Sequence, residues 1–317
     1  MNASIERFLL EEKLPDSYAD TARTFFDPVA NRLAELANRK GPPVMVGLNG
    51  AQGSGKTTLS RYLEFRLRAA GFSVLGLSLD DFYYGRAKRL DLGSQIHPLL
   101  STRGVPGTHD LDLMTDTLGA LLRGKADVPI PRFDKGVDNQ VPPETWNTTE
   151  GPVDLVIVEG WCWGARPVNE SALEPPVNGL EREKDPDGIW RCYVNTRLSA
   201  YQDLYELMDV WLMLKAPSFA CVSTWRKEQE EKLRIKLTDA DPSARSGLMT
   251  DSEVDQFIQF YQRITEQVLI TLPQEADLVW VLDSDRLITS VHSRGVFGAL
   301  AEIWREVPGN AVGGQSV

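Results

Sequence analysis

The residues Gly50, Ala51, Gln52, Gly53, Ser54, Gly55, Lys56, Thr57 and Thr58 hold the spacing GxxxxGKT, with an apolar run before them and a helical pattern after. Glycines at three of these positions let successive backbone N–H groups turn inward on a polyphosphate, and the following helix adds its positive dipole end. Lys56 supplies a point charge for β and γ phosphates, and the Thr57 hydroxyl is placed to hold Mg²⁺. The pattern reads as a phosphate-cradling loop, so the chain is expected to bind a nucleoside triphosphate.

Phosphoryl transfer asks a protein to position the acceptor hydroxyl, accept its proton and offset developing charge. Asp80, at the end of an apolar run over 73–79, is the candidate base; it reads otherwise as a cap or turn residue. Glu159 ends a second apolar run, 153–158, and is the candidate metal carboxylate, directly or through a water, because an unpaired carboxylate inside such a strand is costly; it reads otherwise as a cap or an ion pair without catalysis. The run Arg103-Gly104-Val105-Pro106-Gly107-Thr108-His109-Asp110 sets one cation, one imidazole and one carboxylate on a restricted backbone. Arg103 suits a substrate carboxylate and His109 a substrate oxygen, while a structural ion pair and a helix N-cap at Asp110 are equal alternatives. Arg132 and Lys135 form a second short cationic loop that reads equally as a solvated turn. Arg226, on a charged helix, suits a finger over the transferring group or an ordinary pair with Glu230.

These residues need a scaffold. Apolar runs at 44–49, 73–79, 153–158, 210–214 and 277–282 read as strands buried on both faces, alternating with helical patterns at 56–70, 110–122, 194–208 and 219–237. That alternation predicts an α/β fold with a doubly wound, mainly parallel sheet, whose ligands bind beyond the carboxyl ends of the strands. Residues 1–41 are expected to form a helical extension, 42–307 the catalytic domain, and 308–317 a disordered tail. Within the domain, 163–190 reads as an insertion and 216–248 as a lid-like helical region. A long polar loop is expected up to Thr108, a capping box at Thr250 and Glu253, and one helix carrying the stripe Val254, Phe257, Ile258, Tyr261, Ile264 and Val268. The loop 283–286 is suitably placed for adenine.

Composition narrows the partners. Across 317 residues the net charge is −11, which argues against wrapping nucleic acid. No secretory leader and no apolar stretch of membrane-spanning length is read, so no membrane partner is expected. Three scattered cysteines and three histidines offer neither a disulfide framework nor a multi-histidine metal centre, and a cytoplasmic location is expected. The oligomeric state is not legible.

In order, the phosphate loop, Ser78-Leu79-Asp80-Asp81-Phe82-Tyr83, the Arg103 to Asp110 run, Pro131-Arg132-Phe133-Asp134-Lys135, Glu159-Gly160-Trp161, the run Val194 to Tyr201, Trp225-Arg226 and Met249 to Val254 carry a resemblance. The chain resembles the phosphate-loop kinases that include uridine kinase, phosphoribulokinase and pantothenate kinase, and within them the D-glycerate 3-kinase family. The resemblance implies the P-loop nucleoside triphosphate hydrolase fold, ATP and Mg²⁺ as cofactors, and a small hydroxy acid as acceptor, D-glycerate giving 3-phosphoglycerate. It implies Lys56, Asp80 and Arg226 as catalytic residues, Thr57, Glu159 and Asp80 at the metal, and Asp81, Tyr83, Arg103, His109, Arg132 and Lys135 at the substrate. Another acceptor of the same branch, or a nucleotide-dependent switch or motor, is the alternative. A guanine-reading Asn-Lys-x-Asp and a motor's Asp-Glu pair are both missing from the sequence.

Overall fold

The structure, a computed structural model, describes residues 5–236 and 249–305. Helices α1 (Ile5–Glu12), α2 (Tyr18–Thr21) and α3 (Asp27–Lys40) come first, the last two joined through one π turn at Ala22–Phe26. Strand β1 (Val44–Gly50) leads through the phosphate loop into α4 (Lys56–Ala69), then β2 (Val74–Ser78), α5 (Arg86–Gln95) and α6 (Leu111–Leu122). A two-residue hairpin, β3 (Phe133–Asp134) and β4 (Asn139–Gln140), precedes β5 (Leu155–Gly160). Helices α7 (Gly179–Lys184), α8 (Ile189–Arg197) and α9 (Gln202–Tyr205) lead to β6 (Val210–Lys215) and α10 (Phe219–Lys236). The described residues end with α11 (Asp251–Ile258), α12 (Gln262–Thr271), β7 (Leu278–Leu282), β8 (Ile288–Ser293) and α13 (Ala301–Arg305).

The main sheet runs β2-β5-β1-β6-β7-β8, parallel except for β8 against β7. Every residue of β1 and of β5 is buried, as their unbroken apolar runs require in a sheet covered on both faces. Register fixes the strand ends: Glu159 lies opposite Leu48 on one side and Ser78 on the other, so the ends of β1, β5 and β2 open at one level. The loop after β1, Glu159 at the end of β5 and Asp80 just past β2 therefore share one edge of the sheet. Asn49 locks two of these ends together, its amide donating to the carbonyls of Trp161 and Trp163.

The N-terminal helices belong to the core. Phe8 meets Tyr62 of α4 edge to face at 5.2 Å, and Phe26 meets Trp280 of β7 at 5.4 Å. Burying one such ring is worth about 2 kcal/mol, before any gain from ring geometry. No helix among the described residues is long and apolar enough to cross a membrane.

Four expectations are corrected. The polar stretch before Thr108 is not all loop, because α5 sits in it, pinned by Arg89, whose guanidinium donates to the carbonyls of Tyr84, Ser101 and Asp138. The helix expected over 194–208 is α8, a 3₁₀ turn and α9. The stripe from Val254 to Val268 is split between α11 and α12 by a turn that packs Tyr261 edge to face on Trp161, 4.9 Å away. The last strand is β8, an edge strand with one buried residue, Val291, and hence little apolar signal. The capping box at Thr250 and Glu253 is present. Residues 237–248, within the expected lid-like region, and the expected tail over 308–317 lie outside the described residues.

Candidate active site

The phosphate loop turns on two left-handed glycines. Gly53 (φ 77°) and Gly55 (φ 92°) lie where a side chain is strained, and a Cβ on Gly53 would sit 2.6 Å from the Cβ of Trp225. Arg286 steadies the same turn: its Nε donates to the carbonyl of Gly53, its Nη2 pairs with Glu228, and its guanidinium lies 5.0 Å from the Trp225 ring centre. The loop 283–286 thus touches the phosphate loop, and its Ser284 carbonyl accepts from the Trp225 indole.

A cleft of about 750 Å³ opens beyond the strand ends. Gln52, Gly53, Lys56 and Thr57 line it from the loop side, and Asp80, Asp81, Tyr83, Arg103, Arg132 and Lys135 from the other. Between them stand Glu159 and Trp161, with Arg226, Phe257 and Tyr261 from the late helices. Thr57 donates to Glu159 Oε1 at 2.8 Å, and Lys56 Nζ stands 4.0 Å from Oε2. Asp80 accepts from the Tyr83 hydroxyl on Oδ1 at 3.0 Å and from Lys135 on Oδ2 at 2.5 Å. Asp81 accepts from the Phe133 N–H and from Arg132, both at 3.2 Å.

No protein-family model matches the chain. It is 29% identical over 243 residues to the uncharacterized kinase mug58 of Schizosaccharomyces pombe, across 74% of this chain and 84% of that one. To the chloroplastic D-glycerate 3-kinase of Arabidopsis thaliana it is 29% identical over 260 residues, 77% of this chain but only 53% of that protein, so it spans about half of that relative. The solved structure of D-glycerate 3-kinase from Cryptococcus neoformans aligns with a TM-score of 0.68 at 26% identity, covering 84% of this chain and 98% of that one. The chain is a kinase related to D-glycerate 3-kinase.

Charge is the organising feature of the kinase's cleft. Burial pushes the Asp80 carboxyl upward, but Lys135, Lys56 and the hydrogen bond from Lys135 outweigh it and hold it at about 2. Its neighbour Asp81 is shifted the other way, because burial there is countered less by the Phe133 N–H and Arg132. Burial and the Asp80 charge keep the Tyr83 hydroxyl protonated far above its usual range, so Tyr83 is a donor to Asp80. Arg226 pairs with the buried Glu230 at 2.8 Å and still faces the cleft, so the ion pair and the cleft-facing position coexist.

One of the kinase's expected substrate contacts is corrected. His109 is fully buried and off the cleft wall, stacked on the ring of Tyr83 at 4.5 Å with Nδ1 bonded to the Tyr201 hydroxyl at 2.7 Å. Burial lowers its imidazole to about 3, so it is a neutral support beneath Tyr83 and lines no part of the cleft. Thr58 lies half-buried in the first turn of α4, away from the wall. Sequence reasoning did not assign Tyr261 and Trp161 to the cleft: Trp161 stood in the run after Glu159 without a role and Tyr261 in an apolar stripe, and aromatic side chains ordinarily read as core.

Proposed function

We propose that this kinase transfers the γ-phosphoryl group of ATP to the primary hydroxyl of D-glycerate, giving 3-phosphoglycerate and ADP. The observation that carries the reading is one cleft joining Lys56 and Thr57 to Asp80, with Arg103, Arg132 and Lys135 around that carboxylate. D-Glycerate brings a hydroxyl for Asp80 and a carboxylate for the cations. The names of the Arabidopsis and Cryptococcus relatives support the same acceptor.

In the step itself the hydroxyl oxygen bonds to the γ-phosphorus, the bond from that phosphorus to the β–γ bridging oxygen breaks, and ADP leaves. The hydroxyl proton passes to Asp80. A carboxyl held at about 2 is a weak base, which suits a loose transition state where the proton moves late and is then released to water. Lys56 and Arg226 offset charge on the transferring oxygens.

Mg²⁺ fits the residues present. Glu159 Oε2 is buried without a hydrogen-bond partner among the described residues, and Thr57 holds Oε1. Among the described residues no three His, Cys, Asp or Glu side chains converge on a metal position, and Mg²⁺ typically takes one or two protein groups besides water and phosphate oxygens. Both Asp80 oxygens are engaged by Tyr83 and Lys135, which favours Thr57 and Glu159 as the residues that hold the ion. When bound, the ion neutralises charge on the β and γ phosphates.

The test is coupled ADP release across D-glycerate, L-glycerate, uridine, pantothenate and ribulose 5-phosphate, with phosphorus NMR of the product. Turnover of D-glycerate to the 3-phosphate is expected. Turnover of another acceptor alone sinks the substrate assignment, and rapid ATP hydrolysis with no acceptor favours a nucleotide switch or motor.

A further inference from the structure

We propose that Asp138, on the β3–β4 hairpin, is a positioning residue that aims Arg103 at the carboxylate of the acceptor, with the buried Arg89 as its anchor. The inference rests on the carboxylate-bearing acceptor proposed above. Arg103 reaches the cleft from a loop, and one of its terminal nitrogens, Nη1, is held by Asp138 Oδ1. The other Asp138 oxygen, Oδ2, lies 2.8 Å from Arg89 Nη2, which also takes the Asp138 carbonyl at 2.8 Å. Arg89 is 1% exposed, and its remaining bonds run to backbone carbonyls at 2.9 and 3.0 Å, so it is fixed on every side. Both guanidiniums also face the Phe133 ring, at 5.9 Å for Arg89 and 5.6 Å for Arg103.

The arrangement is a chain in which a rigid cation holds an anion, and the anion orients a second cation that is partly open to the cleft. Among the described residues the Nε and Nη2 of Arg103 have no hydrogen bond, which leaves a donor edge for a carboxylate. Orienting a guanidinium before binding removes part of the ordering cost of a charge-assisted pair. Asp138 sits at φ 56°, where Asp, Asn and Gly are tolerated and other residues are strained. Asp138→Asn and Asp138→Gly therefore remove the charge while keeping the turn.

The experiment measures D-glycerate binding by calorimetry with a non-hydrolysable ATP analogue, together with steady-state kinetics. Each Asp138 variant is expected to weaken D-glycerate binding and raise its KM about tenfold, with KM for ATP and kcat within about threefold. In an Arg103→Ala background, where the oriented group is gone, Asp138→Asn should add less than about twofold. Equal binding by wild type and the Asp138 variants overturns the proposal, as does an undiminished tenfold loss in the Arg103→Ala background or a parallel rise in KM for ATP. Wild type that binds L-glycerate or pantothenate instead overturns only the substrate assignment, and the same variants are then scored with that acid. Wild type that binds none of the three acids overturns both.

Discussion

Asp80 and Lys135 meet carboxylate to ammonium at 2.5 Å across the cleft from the phosphate loop, and Tyr83 holds the other carboxylate oxygen. Asp80 is thereby fixed in position and kept ionised. Asp80→Asn should lower kcat by roughly 10²–10⁴ with KM for ATP within about threefold. Near-normal kcat in the ADP-release assay removes Asp80 from the proton path.

The same pair gives a pH prediction. With the ammonium present, the Asp80 carboxyl stays ionised down to about 2. In Lys135→Met the lowering influence of its charge and hydrogen bond is lost, leaving Lys56 to oppose a burial that still pushes upward, so the acid limb of kcat/KM should move to higher pH than in wild type. Superimposable profiles would mean that Lys135 does not set the charge on Asp80.

Arg226 is held by Glu230, whose other oxygen accepts from the Met249 N–H at 2.8 Å. Such a constrained cation is suited to charge that appears only during transfer. Arg226→Ala should reduce kcat by about 10³-fold with both KM values changed only a few fold, and Arg226→Lys should restore little of it. A change confined to KM for the acceptor would reassign Arg226 to ground-state binding.

At Gly53, positive φ and the contact with Trp225 act together. Gly53→Ala is expected to cost about 2 kcal/mol of stability and to raise KM for ATP about tenfold. Unchanged urea midpoints and ATP affinity would refute the tight approach of these two elements.

His109 carries a stability signature. Its folded-state value is lowered from 6.5 to about 3, so between those limits the unfolded chain binds the extra proton and stability falls with falling pH. From pH 7 to pH 5 this group should remove about 2 kcal/mol in wild type, a loss that His109→Gln escapes. Urea titrations at the two pH values decide it; equal slopes for wild type and variant would mean that the imidazole is not buried neutral.

The phosphate-loop side of the candidate site was legible because its signals are local: glycines at fixed spacing, an apolar strand before them, and Glu159 at the end of another apolar run. The facing wall of the cleft was legible only as a set of charged residues. Whether Arg132 and Lys135 were solvated or paired depended on Asp81 and Asp80, fifty-one and fifty-five positions away. His109 carried no mark of its burial beneath Tyr83, since packing against Tyr201 arises from residues ninety-two positions apart. Asp138 had no signal either, because an aspartate in a short polar turn is ordinary, and its meaning comes from Arg89 and Arg103 arriving from separate elements.

The strand order has a consequence for how such a protein changes over time. The phosphate loop follows β1, which neighbours grip on both sides, while Asp80 follows β2, which has one partner at the border of the sheet. The Arg103 loop and the β3–β4 hairpin lie outside the main sheet altogether. Residues proposed here to select the acceptor are therefore expected to be exchangeable with the strands around the phosphate loop kept, provided that the core-facing side chains of the segment, such as Leu100, Met114 and Leu118, are kept apolar. A chimera that replaces 81–140 from a kinase of different acceptor preference tests that freedom directly, with ATP affinity conserved and acceptor choice transferred.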